Sequence, residues 1–97
     1  MSRSLLERRL SQVAERLKQT RAELTVADEQ LAFFSEAAED ARLRALVSET
    51  ALAEHEHHEA QKHADAMTRH RDSLQTTIRE LERQQDDLLD RLLTEAR

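Results

Sequence analysis

Three residue types that shape compact catalytic domains are missing from this sequence. Its 97 residues include no glycine, no proline and no cysteine. Without glycine there is no phosphate-binding loop, and without cysteine there are no disulfides and no thiolate metal ligands. Glycine and proline are also the residues that most often interrupt helices. Their absence disfavours an enzyme and favours a protein built from long helices.

Aromatic residues and long apolar runs are scarce as well. The chain has two phenylalanines, 36% charged residues and a net charge of -5, with a mean hydropathy of -0.80. Such a composition cannot build a thick globular core. No apolar run is long enough for a membrane span or a signal peptide, so the sequence predicts a cytoplasmic protein without a membrane partner. The acidic charge and the lack of an extended basic stripe disfavour nucleic acid as a partner.

Apolar residues nevertheless recur at alternating steps of four and three, which is typical of coiled coils. We distinguish two stripes. The first stripe is Leu6, Leu10, Val13, Leu17, Thr20, Leu24, Ala27, Leu31, Phe34, Ala38, Ala41 and Ala45. The second stripe is Ala53, His57, Ala60, Ala64, Met67, Arg71, Leu74, Ile78, Leu81, Gln85, Leu88 and Leu92.

The two stripes are out of phase by two residues. On one continuous helix this offset would rotate the apolar face by about 200°, so a chain reversal between the stripes is the simplest explanation. The sequence therefore predicts an all-α fold, an antiparallel two-helix coiled-coil hairpin that forms one domain over residues 1–97. The expected bounds are helix 1 at about 5–46, a turn at about 47–50 and helix 2 at about 51–96.

Residues near the expected helix ends support this hairpin. Ser4 and Glu7 match a capping box for the first helix, and Thr50 is a candidate N-cap for the second. Arg42 and Glu54 are placed to pair across the two helices close to the turn.

Several apolar residues fall outside the stripes. They are Val26, Phe33 and Val47 on the first helix, and Leu5, Leu89 and Leu93 near the chain ends. Because a lone pair of helices leaves these residues exposed to water, we expect a homodimer that forms a four-helix assembly. The alternative is that they are scattered surface residues without consequence.

One tract, HEHHEAQKH at residues 55–63, has the composition of a metal site. Its candidate ligands are His55, His57, Glu59 and His63. Glu54 with His57 also matches the Glu-x-x-His pattern of di-iron bundles. The first stripe offers only alanines opposite this tract, and alanine cannot bind a metal ion. No metal or cofactor is therefore predicted. The favoured interpretation is that these histidines are solvated or packed. His57 is the best candidate for a packed histidine.

Charge is unevenly distributed along the predicted hairpin. Residues 25–73 hold 11 acidic and 5 basic side chains, a net charge of -6, whereas the rest of the chain holds 9 and 10, a net charge of +1. Glu49, Glu54 and Glu56 lie beside the predicted turn and form an acidic tip. This tip indicates either a partner with a basic surface or a solvated face that keeps the protein soluble.

The segments SRSLLERRL, ARLRALVSET and HADAMTRHRDSLQTTIRELERQQDDLLDRL resemble a group of small coiled-coil proteins of actinobacteria whose function is not established. The resemblance covers nearly the whole chain. It implies a bacterial, cytoplasmic setting and carries no site residues. A second similarity, of architecture alone, is to bacterial transcription factors that insert an acidic coiled-coil tip into the secondary channel of RNA polymerase.

The sequence as a whole predicts a non-enzymatic, self-associating coiled-coil scaffold or adaptor. A regulator that binds a large complex such as RNA polymerase through the acidic tip is the alternative. A ferritin-like metal-binding protein is the hypothesis that the residues support least.

Overall fold

The computed structural model describes residues 2–95 and consists of two long α-helices. Helix α1 is Arg3–Ser48 and helix α2 is Ala51–Glu95, joined by a two-residue turn. The two helices pack against each other, and residues 2–95 contain no β-strand, so the predicted all-α helical hairpin is confirmed. The predicted end of helix 2 at residue 96 lies outside the described residues. Over the same range, neither helix has a stretch long and apolar enough to cross a membrane.

Helix α1 begins earlier than the sequence predicts, because its N-cap is Ser2. The Ser2 Oγ accepts a hydrogen bond from the backbone N–H of Leu5 at 3.2 Å, which satisfies a donor that the first turn leaves free. The predicted capping box is wrong, since Ser4 lies inside the helix. The Glu7 carboxylate binds Arg3 Nε at 3.0 Å instead.

The turn is shorter than the predicted 47–50 because a single residue ends α1. Glu49 has a φ of 50°, in the left-handed region that glycine usually occupies. Its N–H donates to the carbonyl oxygen of Ala45 at 3.1 Å, closing the helix end. Thr50 then caps α2, as predicted, with its Oγ1 accepting from the N–H of Ala53 at 3.1 Å.

Burial follows the two predicted stripes. Every residue of both stripes is buried or half-buried, whereas most residues between them are exposed. This is the outcome expected when two helices share one narrow apolar seam rather than a broad core.

The chain divides into two compact units. The terminal unit is Met1–Leu24 with Leu74–Arg97, of which the structure describes 2–24 and 74–95, and the turn unit is Thr25–Ser73. In the terminal unit the buried residues are Leu6, Leu17, Thr20, Leu74, Leu81 and Leu88. The buried Thr20 hydroxyl donates to the carbonyl oxygen of Arg16 at 2.8 Å. An exposed ion pair joins the helices of this unit, with Arg21 Nη2 at 3.6 Å from Glu82 Oε2.

The turn unit is packed around alanine. Its buried residues are Ala27, Ala38, Ala41, Ala45, Ala53 and Ala64. Two polar residues, His57 and Arg71, are half-buried in its seam. Arg71 Nη2 lies 3.2 Å from Asp72 Oδ1, but its Nε is buried without a hydrogen-bond partner. The turn unit therefore has a thinner apolar interior than the terminal unit.

Candidate functional site

Exposed apolar side chains are the most distinctive surface feature of the hairpin. All five residues predicted for self-association, Val26, Phe33, Val47, Leu89 and Leu93, are exposed, and so is Leu5. Three more exposed leucines, Leu43, Leu46 and Leu52, lie near the turn. The six of these residues that belong to the turn unit fall into two groups, because they occupy different positions on the helices.

The first group is the outer line, which we define as Val26, Phe33 and Val47. These residues of the turn unit are seven and fourteen positions apart on α1, so they share one heptad position and one helix face. Leu5 occupies the same heptad position in the terminal unit. Asp40 occupies this heptad position between Phe33 and Val47, so three of the four places from residue 26 to residue 47 are apolar. An apolar line outside the seam is what a second helix-packing surface requires.

Phe33 is the largest member of the outer line, and its ring contacts that of Phe34. Its ring meets Phe34 edge to face, with centroids 5.4 Å apart and planes at 82°. Phe34, from the first stripe, stacks on His63 of α2 with centroids 5.7 Å apart and planes at 20°. Both geometries are favourable for aromatic pairs. Phe33 therefore keeps one ring contact within α1 while 67% of its surface is exposed.

The stacking of His63 also bears on the metal hypothesis. Among residues 2–95, no group of three or more histidine, aspartate or glutamate side chains is placed to hold a metal ion. Of the four candidate ligands, Glu59 and His63 line one groove, but each of the four makes different contacts. His55 is exposed, His57 is half-buried in the seam, Glu59 pairs with Lys62 at 3.7 Å, and His63 stacks on Phe34.

The acidic tip presents its three glutamates to solvent. Glu49, Glu54 and Glu56 are all exposed. Glu54 lies in the first turn of α2, where a carboxylate also stabilises the positive end of the helix dipole. Glu49 and Glu56 have no comparable structural role, so they are the clearer candidates for a contact with a partner.

The predicted pairing of Arg42 with Glu54 is wrong. Arg42 instead binds Glu39 on its own helix, with Nε–Oε2 at 3.0 Å and Nη2–Oε1 at 2.7 Å. Residues three apart on a helix lie on the same face, so this pair needs no reach across the seam. The hydrogen bond from Arg42, reinforced by its charge and that of His57, lowers the pKa of the Glu39 carboxyl.

The second group consists of three exposed leucines that the sequence did not single out. Leu43 and Leu46 lie in the last turns of α1, and Leu52 lies in the first turn of α2. The available signal in the sequence was that they are large apolar residues outside both stripes within six positions of the turn, but they follow no repeat that marks them as a set.

Grooves on the two units differ in their lining residues. A groove of about 420 Å³ in the turn unit is lined by Glu59, Lys62, His63, Asp65, Ala66 and Arg69. One groove of about 350 Å³ in the terminal unit is lined by Arg9, Gln12, Val13, Gln84, Asp87, Leu88 and Arg91. These side chains include no serine, cysteine or histidine, so the groove lacks the usual nucleophile with an adjacent base.

Comparison of the chain with models of protein families, with curated proteins and with solved structures finds no match in any of the three. The resemblance to small actinobacterial coiled-coil proteins therefore stays a prediction. Any functional argument rests on the surfaces described above.

Proposed function

We propose that the protein is a non-enzymatic scaffold or adaptor that self-associates through the outer line of α1. The observation that carries this proposal is Phe33, an aromatic side chain that is 67% exposed at a heptad position outside the seam. Aromatic residues, phenylalanine included, are enriched at the cores of protein interfaces relative to the rest of the surface.

The energetics favour a symmetric contact between two copies. Complete burial of a phenylalanine side chain contributes about 1.5–3 kcal/mol. In a two-fold symmetric dimer the same surface of each copy is buried, so every residue of the outer line contributes twice. Val26 and Val47 extend the surface on the same face and lengthen the contact beyond a single ring.

The composition of the turn unit supports the same proposal. Its buried residues are alanines, which bury less apolar area than leucines and stabilise a helix pair less. A four-helix assembly adds apolar contact to a unit that has little of its own.

Substitution of Phe33 by glutamate tests the proposal. Sedimentation equilibrium at micromolar concentration should show a dimer for the wild type and a monomer for Phe33→Glu, because a charge cannot be buried unpaired at the contact. Far-UV circular dichroism should be unchanged, since Phe33 lies outside the seam. Ser35→Glu is the matched control, because it adds the same charge at an exposed position of a different heptad class.

Two results would contradict self-association through this surface. One is a compact wild-type monomer at micromolar concentration. The other is loss of helicity in Phe33→Glu, which would make Phe33 part of the hairpin interior rather than an interface residue.

A second candidate function is regulation of a large complex such as RNA polymerase through the acidic tip. It is supported by the exposure of Glu49, Glu54 and Glu56 around a two-residue turn. The turn unit has 11 acidic and 5 basic residues, a net charge of -6, which suits a basic cleft.

Binding to purified bacterial RNA polymerase at increasing salt tests this second candidate. Replacing Glu49, Glu54 and Glu56 together by glutamine should abolish a salt-sensitive interaction. The control replaces three exposed glutamates of the terminal unit, namely Glu15, Glu23 and Glu80. Binding that survives neutralisation of the tip would refute the acidic tip as the contact.

A further inference from the structure

We propose that one groove of the terminal unit binds a small amphipathic carboxylate, a molecule with one carboxylate group joined to an apolar body. We call it the arginine groove, and its lining residues are Arg9, Gln12, Val13, Gln84, Asp87, Leu88 and Arg91. Its volume of about 350 Å³ lies at the lower end of the range that small-molecule sites occupy. The proposal adds a ligand site to the function proposed above and does not depend on self-association.

The arginine groove has an apolar base and a polar rim. Val13 and Leu88 belong to the two stripes of the seam, where Val13 is half-buried and Leu88 is buried. The five polar lining residues are all exposed. Small-molecule sites combine apolar lining with a few polar groups that fix the orientation of the ligand. A ligand with an apolar body over the base and a polar group at the rim matches both parts of this groove.

Two arginines make the polar group of the ligand an anion. Arg9 reaches the groove from α1 and Arg91 from α2, and Asp87 is the one acidic residue in the lining, so the lining has a net charge of +1. Within residues 2–95, neither arginine side chain has a hydrogen bond or an ion pair. A guanidinium group without a protein partner suits a carboxylate, because its planar fork can donate two parallel hydrogen bonds.

The positions of the two arginines on the hairpin strengthen this argument. Arg9 and Arg91 each directly precede a stripe residue, so both occupy the same heptad position beside the seam. On the other side of the same seam, Arg21 and Glu82 each directly follow a stripe residue and pair with opposite charges at 3.6 Å. Two positive charges in one groove repel each other. A bound anion removes this repulsion, as Glu82 does for the other side.

Two other grooves lack the excess of positive charge. The groove of the turn unit is lined by two acidic and two basic residues besides His63, and one of its basic residues, Lys62, pairs with Glu59. A second groove of the terminal unit is lined by Leu6, Asp90, Arg91, Thr94 and Glu95. Its two carboxylates outnumber its one arginine, so it repels an anion. Of these three grooves, the arginine groove alone attracts one.

The same lining favours a monocarboxylate over other anions. A dicarboxylate or a phosphate would bring a second negative charge close to Asp87, which repels it. Inorganic phosphate also has no apolar part to cover Val13 and Leu88. The matching chemistry is available from two sources, a free organic acid and the C-terminal carboxylate of a protein that ends in an apolar residue.

Hexanoate is the probe, and two-dimensional amide NMR of the full chain measures its binding. Saturable shifts should appear at the backbone amides of the lining residues, with a dissociation constant of about 1–10 mM, as expected for a small ligand in an open groove. Acetate has the charge without the apolar body, and hexanamide has the apolar body without the charge. Each should bind at least about fivefold more weakly than hexanoate.

Substitution of the two arginines tests which residues hold the carboxylate. Arg9→Gln and Arg91→Gln should each weaken hexanoate binding by about fivefold, because each removes a charge-assisted hydrogen bond. Arg8→Gln and Arg83→Gln are the matched controls, since each removes an exposed arginine of the same unit that does not line the groove. Their affinities should change by less than about twofold. Far-UV circular dichroism should be unchanged in all four variants.

Four results would overturn the proposal. The first is the absence of saturable shifts with hexanoate. The second is equal weakening by all four arginine substitutions, which would reduce the effect to the overall charge of the protein. The third is equal binding of hexanamide, which would leave an apolar contact without recognition of a carboxylate. The fourth is tighter binding of inorganic phosphate than of hexanoate, which would assign a phosphate site.

An acetylated tripeptide that ends in leucine distinguishes the two sources. Binding tighter than that of hexanoate, lost when the C terminus is amidated, would support the carboxylate site and assign it to a chain terminus. Binding weaker than that of hexanoate would support the site and assign it to a free acid. Phe33→Glu should bind hexanoate as the wild type does, because Phe33 lies in the turn unit, so the ligand site and self-association fail or succeed separately.

Discussion

The terminal unit and the turn unit share one heptad pattern but fill it with different side chains. Apart from Thr20, every buried residue of the terminal unit is a leucine, whereas every buried residue of the turn unit is an alanine. Exposed large apolar side chains are distributed in the opposite way. Among the described residues, six large apolar side chains are exposed in the turn unit and three in the terminal unit. Leu31, Phe34 and Met67 are half-buried in the seam of the turn unit, so the two units differ in their fully buried residues and in the number of large apolar residues that they expose.

This difference suggests that the terminal unit contributes most to the stability of the hairpin and the turn unit most to its contacts with other molecules. A seam of leucines stabilises a helix pair from within, because burial energy scales with the apolar area removed from water. The fully buried alanines of the turn unit contribute less, because each removes less apolar area from water than a leucine does. The turn unit also carries a net charge of -6 and all five histidines. The outer line and the acidic tip therefore both belong to the unit whose fully buried residues are alanines.

The largest expected effect tests the leucine seam. Leu17 is 1% exposed, and Leu17→Ala should lower the free energy of unfolding by about 2–4 kcal/mol through lost burial and the cavity that remains. Ala38→Gly in the turn unit should cost about 1 kcal/mol, mainly through helix propensity. Urea denaturation followed by circular dichroism, at one fixed protein concentration, measures both.

The exposed Leu93 provides the control for this comparison. Leu93→Ala should change the free energy of unfolding by less than about 0.5 kcal/mol, because the side chain is already in water. Equal losses for Leu17→Ala and Ala38→Gly would show that the two seams do not differ in the way that their composition indicates.

The second largest expected change in the free energy of unfolding comes from replacing Arg71, which lies in the seam of the turn unit. Since Arg71 Nε is buried without a hydrogen-bond partner, Arg71→Leu should raise the free energy of unfolding by about 1–2 kcal/mol. The same urea titration measures it. Arg69→Leu, at an exposed position two residues away, should give no such gain. A loss of stability in Arg71→Leu would mean that the aliphatic stem of the arginine already fills the seam.

Residues that follow the heptad repeat could be predicted from the sequence, and local exceptions could not. Both stripes are buried or half-buried as predicted, because burial in a helix pair follows the repeat directly. Ser2 was missed as the N-cap because Ser4 also matches a capping pattern. The length of the turn was missed because Glu49 takes a left-handed conformation that sequence rules assign to glycine.

The candidate surfaces were predictable to different degrees. The exposure of Phe33 was expected from its position outside the first stripe, but its contact with Phe34 and the stack on His63 depend on rotamers that no repeat specifies. Leu43 and Leu46 occupy heptad positions that face away from the seam. They were not singled out, because no apolar repeat passes through these positions.

The smallest expected change in the free energy of unfolding comes from replacing Glu49 in the turn. It tests whether the backbone of the turn limits the stability of the turn unit. Glu49 has a φ of 50°, where its β-carbon is crowded by the backbone. Glu49→Gly should therefore raise the free energy of unfolding by about 0.5–1 kcal/mol, after allowing for the greater chain entropy of glycine when unfolded. Glu49→Gln is the control, because it removes the charge and keeps the β-carbon. Urea denaturation should show a gain for glycine and none for glutamine, and amide hydrogen exchange should place that gain in the turn unit. An equal gain for glutamine would mean that charge repulsion at the tip, rather than the left-handed backbone, limits the stability of this unit.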